Sequence, residues 1–194
     1  MSDRRRYTPE QRRSQLVSVA IDMFSEKGIE RAGHGDIAKR ASVSTATVFN
    51  YFPTKEALTH DVLKEIEAQI IAMFESVPKL SEGPRAQMLA LAAAYEKMIQ
   101  EKPSTIKTYL TWSVSFNPDI RPQYLDMHNR ILDILAQNLP LGMQTRTDAI
   151  ITNSAANQIA IMLFDGSTRN ELEAFTNRML DALLIQSEEQ MNSL

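Results

Sequence analysis

The 194-residue chain contains no cysteine. That absence excludes disulfides, thiolate metal sites and cysteine nucleophiles together, and the reducing cytoplasm is the expected compartment. No apolar run approaches the roughly 20 residues needed to cross a bilayer. The opening Met1-Ser2-Asp3-Arg4-Arg5-Arg6 has no hydrophobic stretch behind it, so neither a membrane span nor a secretory signal is expected. The three histidines, His34, His60 and His128, show no HExxH or paired i,i+4 spacing, so no metal site is expected. A phosphate-binding loop, a nucleophile elbow and a carboxylate pair in a pocket-like context are missing as well, so the chain reads as neither an enzyme nor a cofactor carrier. Sustained period-2 alternation is also lacking, which leaves helices as the building element.

What is present is an ordinary globular composition, 43% apolar and 23% charged, with the few prolines and glycines at helix boundaries. Thr8-Pro9-Glu10-Gln11 has the cap, first-turn proline and reach-back glutamine of a helix start. Val17, Ala20, Ile21 and Phe24 form the inward stripe of that helix, and Gly28 stops it. A short helix is expected from about Asp36 to Ala41, a turn at Ser42-Val43-Ser44, and a second short helix from Thr45 to Tyr51 capped by Ser44. After Pro53, Thr54 caps a long helix towards Phe74. Further helices are expected after Pro84, from Pro103 to about Phe116, from Asn117-Pro118 to about Asn138, from about Thr147 to Phe164, and after Thr168, whose spacing to Glu171 suits a capping box. The expected fold is all-α, with about nine helices.

Charge is unevenly distributed. Residues 1–55 hold ten Lys/Arg against six Asp/Glu, a net +4, whereas the remainder holds eleven against eighteen, a net −7. A basic head on an acidic body is expected where only the head meets phosphate. The two short helices joined by three residues form a helix-turn-helix inside that head. Ile37, Val43, Val48 and Phe52 can pack inward, which directs Thr45, Thr47, Asn50 and Tyr51 outward. Threonine suits a phosphate or a thymine methyl, and asparagine can bond an adenine edge twice. Lys55, with the amides that begin the next helix, can hold a phosphate. Residues 1–55 are therefore expected to be a DNA-binding domain, Ser44 included among its contacts, and residues 56–194 a regulatory domain.

The run from Gly35-Asp36-Ile37-Ala38 through Val43-Ser44 and Tyr51-Phe52-Pro53-Thr54-Lys55-Glu56-Ala57-Leu58 resembles the signature of TetR-family repressors. Gly28-Ile29, Gly33-His34, Val43-Ser44-Thr45-Ala46-Thr47-Val48-Phe49-Asn50-Tyr51-Phe52 and Leu110-Thr111-Trp112-Ser113-Val114-Ser115 are similar to the LuxR/HapR/SmcR branch of vibrio quorum-sensing regulators. The match covers residues 8–65 most closely. The resemblance implies that Asn50 meets bases, against the plainer alternative of an exposed asparagine. Phe49 stands where many members carry a phosphate-binding tyrosine, so it is expected only to pack. The wider family usually caps the second helix with a hydroxyl residue; here Gly33-His34 takes that place, with His34 expected to help the helix entrance.

Arg4, Arg5 and Arg6 read either as an arm laid into a narrow minor groove, as the resembling branch uses, or as a solubilising tail. Trp112, the sole tryptophan, is a core residue by composition. The resemblance implies instead that it lines a ligand cavity, with Phe74, Leu110, Phe116, Asn129, Gln158 and Met162 placed around it by helix order, and a small apolar or amphipathic ligand inside. The last two helices carry a surplus apolar stripe, including Ile151, Ala155, Ile159, Phe175, Met179 and Leu183. The resemblance implies a four-helix homodimer interface there, presenting two reading helices to a pseudo-palindromic operator. Two rivals stand beside this reading: a drug or metabolite sensor repressing a neighbouring transporter gene, and a helical interaction module without DNA binding.

Overall fold

A computed structural model describes residues 7–79 and 82–191. Arg4, Arg5 and Arg6 lie outside the described residues. The all-α expectation holds: among the described residues are nine helices, α1 (Pro9–Lys27), α2 (His34–Arg40), α3 (Thr45–Tyr51), α4 (Lys55–Glu75), α5 (Pro84–Glu101), α6 (Pro103–Ser113), α7 (Arg121–Asn138), α8 (Arg146–Phe164) and α9 (Arg169–Met191). None of them is long and apolar enough to cross a membrane. The chain divides into two compact units. One gathers the residues up to Ile66 with Ser104–Tyr124; the other gathers Glu67–Pro103 with Leu125 onward. The first unit thus reaches beyond the boundary read after residue 55, because α6 packs on α1.

In the first unit, α1 begins as its sequence dictates. Thr8 Oγ1 accepts from the Gln11 amide at 3.2 Å and Gln11 Oε1 accepts from the Thr8 amide at 3.0 Å. Two otherwise orphaned donors are thereby satisfied. Gly28, at φ 77°, ends the helix in a conformation that a side chain would strain. Leu16, Ala20 and Phe24 of α1 are buried with Ile37 of α2, Val48 and Phe52 around α3, Leu58 and Val62 of α4, and Ile106 and Trp112 of α6. Each large apolar side chain removed from water contributes about 1.5–3 kcal/mol. Thr108 Oγ1 also donates to the Ile21 carbonyl at 3.3 Å, tying α6 to α1.

Helix α6 ends at Ser113, short of the Phe116 expected, and α7 begins at Arg121, beyond the Asn117 expected. The Arg121 guanidinium accounts for the gap: it donates to the carbonyls of Ser113 at 2.9 Å and Ser115 at 3.3 Å. Asn117 meanwhile turns the chain by accepting from the Asp119 amide at 2.9 Å. Neither contact follows from periodicity.

In the second unit, α5 packs on α8 and α9, and α8 packs on α9. Leu91, Met98 and Ile99 of α5, Ile131 and Leu135 of α7, and Leu172 and Leu180 of α9 are buried. Helix α8 starts at Arg146, one residue before the start expected at Thr147. Thr145 Oγ1 accepts from the Asp148 amide at 3.1 Å, and Asp148 Oδ2 accepts from the Thr145 amide at 3.2 Å. Arginines brace the surface: Arg85 pairs with Asp181 at 2.6 Å, Arg146 with Asp133 at 2.8 Å, and Arg130 with both Glu67 and Asp126.

Candidate nucleic-acid interface

The turn between α2 and α3 has a definite cause. Ser42 takes the left-handed conformation at φ 56°, the one residue other than glycine to do so among the described residues. The Val43 amide then donates to the Ala38 carbonyl at 3.0 Å and the Ser42 amide to the Lys39 carbonyl at 3.3 Å. These two bonds satisfy carbonyls that α2 leaves free at its end. Two residues later, Ser44 Oγ accepts from the Thr47 amide at 3.1 Å and starts α3, as expected. At the front of α2 the sequence expectation shifts by two residues. The helix begins at His34 rather than Asp36, because Asp36 Oδ2 reaches back to the Gly33 amide at 3.1 Å. The Asp36 carboxyl is held below the ordinary aspartate range, first by the hydrogen bond from Lys27 and then by that from Gly33.

Helix α3 therefore stands with Val48 fully buried and Thr45, Asn50 and Phe49 exposed. Thr47 and Tyr51 are half-buried. The Thr47 hydroxyl lies 2.8 Å from Ser44 Oγ, so these two side chains already share a hydrogen bond. The Tyr51 carbonyl accepts from Arg13 of α1 at 3.0 Å, and the same guanidinium pairs with Asp61 of α4 at 2.7 Å. Lys55 takes an orientation that spacing alone did not reveal. Its ammonium donates to the Glu30 carbonyl at 2.9 Å, in a cleft of about 240 Å³ that Asn117 and Asp119 also line.

Around this helix, several of the head's cations are paired on the surface. Lys27 meets Asp36 at 2.5 Å and Arg40 meets Glu26 at 2.7 Å. Lys27, Arg40 and Arg13 all keep close to half of their side-chain surface in solvent. Exposed pairs of this kind are worth roughly 0–1 kcal/mol, so a phosphate can replace the carboxylate at little cost. Arg40 and Lys27 were not singled out from the sequence. Helix packing brings Lys27, at the end of α1, to Asp36 and Arg40, at the end of α2, to Glu26, and the head's net positive charge is the one sequence signal that points to them.

His34 is the residue whose local role exceeded the expectation. Its Nε2 lies 2.8 Å from the Phe52 carbonyl oxygen, so that nitrogen carries the proton and donates it. Its ring stacks on Phe49 with centroids 4.3 Å apart and planes within 4°. Phe49 does pack, as the sequence implied, yet remains 48% exposed.

The residues read as a ligand pocket do not all share one unit. Leu110, Trp112 and Phe116 fall in the first; Phe74, Asn129, Gln158 and Met162 fall in the second. Trp112 is 1% exposed and packs on Phe24. Phe116 is 82% exposed, turned outward where α6 stops, with the Arg121 guanidinium 5.1 Å from its ring centre. Asn129 is exposed and accepts from Arg146 at 2.6 Å, and Gln158 is exposed on α8. Phe74 is buried, and Leu110 and Met162 are half-buried. On the last two helices, Ile159 and Leu183 are buried, while Ile151, Ala155, Phe175 and Met179 are half-buried.

Residues 16–62 match the family model of bacterial regulatory proteins, tetR family. The chain is 34% identical over 136 residues to the HTH-type transcriptional regulator LuxR of Vibrio harveyi, a stretch covering 70% of this chain and 66% of that protein. It is 30% identical to the HTH-type transcriptional regulator BetI of Burkholderia thailandensis over 57% of this chain and 58% of the relative. The match thus spans less than two thirds of either relative's length. Among solved structures, FadR of Bacillus subtilis, in complex with stearoyl-CoA, superposes with a TM-score of 0.72 at 18% identity, over 89% of this chain and 98% of that one. With its helix-turn-helix formed by α2 and α3, the chain belongs to the tetR family of bacterial regulatory proteins and carries that family's DNA-binding domain.

Proposed function

We propose that this protein regulates transcription as a homodimer on a pseudo-palindromic operator, reading bases with α3 and responding to a small apolar or amphipathic ligand. One observation carries the DNA half of the reading. The seven-residue α3 buries Val48 while leaving Thr45 and Asn50 free of the core, on a head whose paired cations are exposed. Thr47, Tyr51, Ser44 and Lys55 are the neighbouring candidate contacts, and Arg4, Arg5 and Arg6 a candidate minor-groove arm. Likeness to LuxR of Vibrio harveyi supports a quorum-sensing role.

Exposed Ile150 and Ile161 on α8 support the dimer, for an apolar stripe on a terminal helix is commonly a partner surface. With the half-buried Phe175 and Met179 of α9, that stripe supplies the four-helix contact. For the ligand, support comes from FadR, whose structure holds stearoyl-CoA, and from the buried Tyr95 hydroxyl of α5, which has no hydrogen-bond partner. Phe74 and Met162 of the second unit remain candidate ligand contacts. Helix α4 contributes residues to both units and is the candidate route by which ligand affinity couples to DNA affinity.

Binding to random duplex DNA, titrated with salt, tests the reading. A protein neutralising six to ten phosphates loses about 10³–10⁵ in affinity between 50 and 200 mM salt. Affinity that ignores salt points to an interaction module instead. Sedimentation of the wild type against Phe175→Glu tests the dimer, which the charge is expected to dissociate.

A further inference from the structure

Resting on the reading of α3 as the DNA-facing helix, we propose that His34 is a positioning residue that fixes the rotation of α3, and with it the direction of Asn50 and Thr47. Helix α3, seven residues long, buries Val48 and, one turn on at its C-cap, Phe52. These two contacts lie on one face and set which side of the helix is inward, but a roll of only a few tens of degrees carries a base-reading side chain off its partner.

His34 opposes that roll from two directions at once. Its ring lies flat against Phe49 at 4.3 Å, one residue before Asn50. Its Nε2–H reaches the carbonyl of Phe52, two residues after Asn50, at 2.8 Å. Phe52 is the residue at which α3 ends, so its carbonyl has no helical donor of its own. The stretch that contains Asn50 is therefore held on both flanks by one imidazole, itself fixed at the first turn of α2. Arg13 makes a comparable bond to the Tyr51 carbonyl, but its side chain is 45% exposed and its guanidinium is shared with Asp61. The His34 bond is buried, where a hydrogen bond is stronger and more directional. Phe49 is explained at the same time: an aromatic ring half open to solvent on a reading helix has no core to fill, but it gives the imidazole a face to rest on.

The test is selection from a randomised duplex library by the wild type and by His34→Ala, His34→Gln and His34→Phe, with random-duplex affinity and thermal unfolding measured on each. His34→Ala is expected to lower enrichment of the wild-type sequence about tenfold, the scale of one misdirected base contact, while random-duplex affinity stays within about twofold of wild type, the phosphate contacts being untouched. His34→Gln keeps an N–H donor for Phe52 and should restore part of the enrichment; His34→Phe keeps the stacking face and should restore a different part. If His34→Ala does not fold, the partial losses in the other two carry the test. A wild-type sequence profile in all folded variants overturns the proposal, as does a loss of random-duplex affinity matching the loss of enrichment. Failure of the wild type itself to bind random duplex overturns the reading of α3, and needs no variant to show it.

Discussion

Trp112 of α6 meets Phe24 of α1 with ring centroids 6.0 Å apart and planes inclined at 50°. This tilted aromatic pair joins a helix 87 residues downstream, counting by the neighbouring Thr108–Ile21 bond, to the first helix of the reading head. The sole tryptophan is consequently part of the core that supports the head.

Replacing Trp112 by alanine removes that support. A loss of about 3–5 kcal/mol in unfolding free energy is expected for so large a buried ring, measured by urea unfolding followed by circular dichroism. A loss under 1 kcal/mol would mean that Trp112 does not hold α6 to α1.

Ser42 predicts an effect of the opposite sign. Its left-handed φ of 56° costs a side-chain-bearing residue roughly 1 kcal/mol or more. Ser42→Gly should therefore be neutral or stabilising, by up to about 1 kcal/mol, whereas Ser42→Val should destabilise, the branched side chain resisting that φ. Thermal melts of the two variants against wild type decide the matter.

Tyr95 is buried on α5 with its hydroxyl unpaired, and burial pushes its pKa well above the ordinary tyrosine range. An unsatisfied buried polar group costs about 1–3 kcal/mol. Tyr95→Phe should thus raise stability by about 1 kcal/mol in the ligand-free protein. A destabilised variant would show that the hydroxyl has a partner.

Asp36 carries a pH dependence. Its carboxylate is stabilised in the folded state by Lys27 and the Gly33 amide, so its folded pKa lies below the unfolded one. The resulting stabilisation is present above the ordinary aspartate range and is lost as pH falls through the folded value. Asp36→Asn should therefore melt below wild type at neutral pH, and the two should converge in acid. A gap that persists unchanged in acid would remove the carboxylate from the cap.

How far the sequence alone reveals this molecule depends on how far apart the interacting residues lie. The caps Thr8–Gln11 and Thr168–Glu171 form as their three-residue spacing predicts. Ser44 does likewise for α3, and the all-helical fold follows from periodicity and boundary residues. What spacing does not show comes from distant chain. His34 bonds Phe52 eighteen residues on, Lys55 bonds Glu30 twenty-five residues back, and Arg121 stops α6 from the far side of a loop. Phe116 misleads for the same reason: its spacing continues the apolar face of α6, but the helix has already ended at Ser113.

The most direct test of the central claim, that α3 reads bases, is Asn50→Ala on duplexes selected from a randomised library by the wild type. The variant should lose about 1–3 kcal/mol on the selected sequence, the worth of one bidentate base contact, with affinity for random duplex unchanged. Unaltered preference for the selected sequence would contradict the claim, and would leave Asn50 an exposed side chain on a short helix.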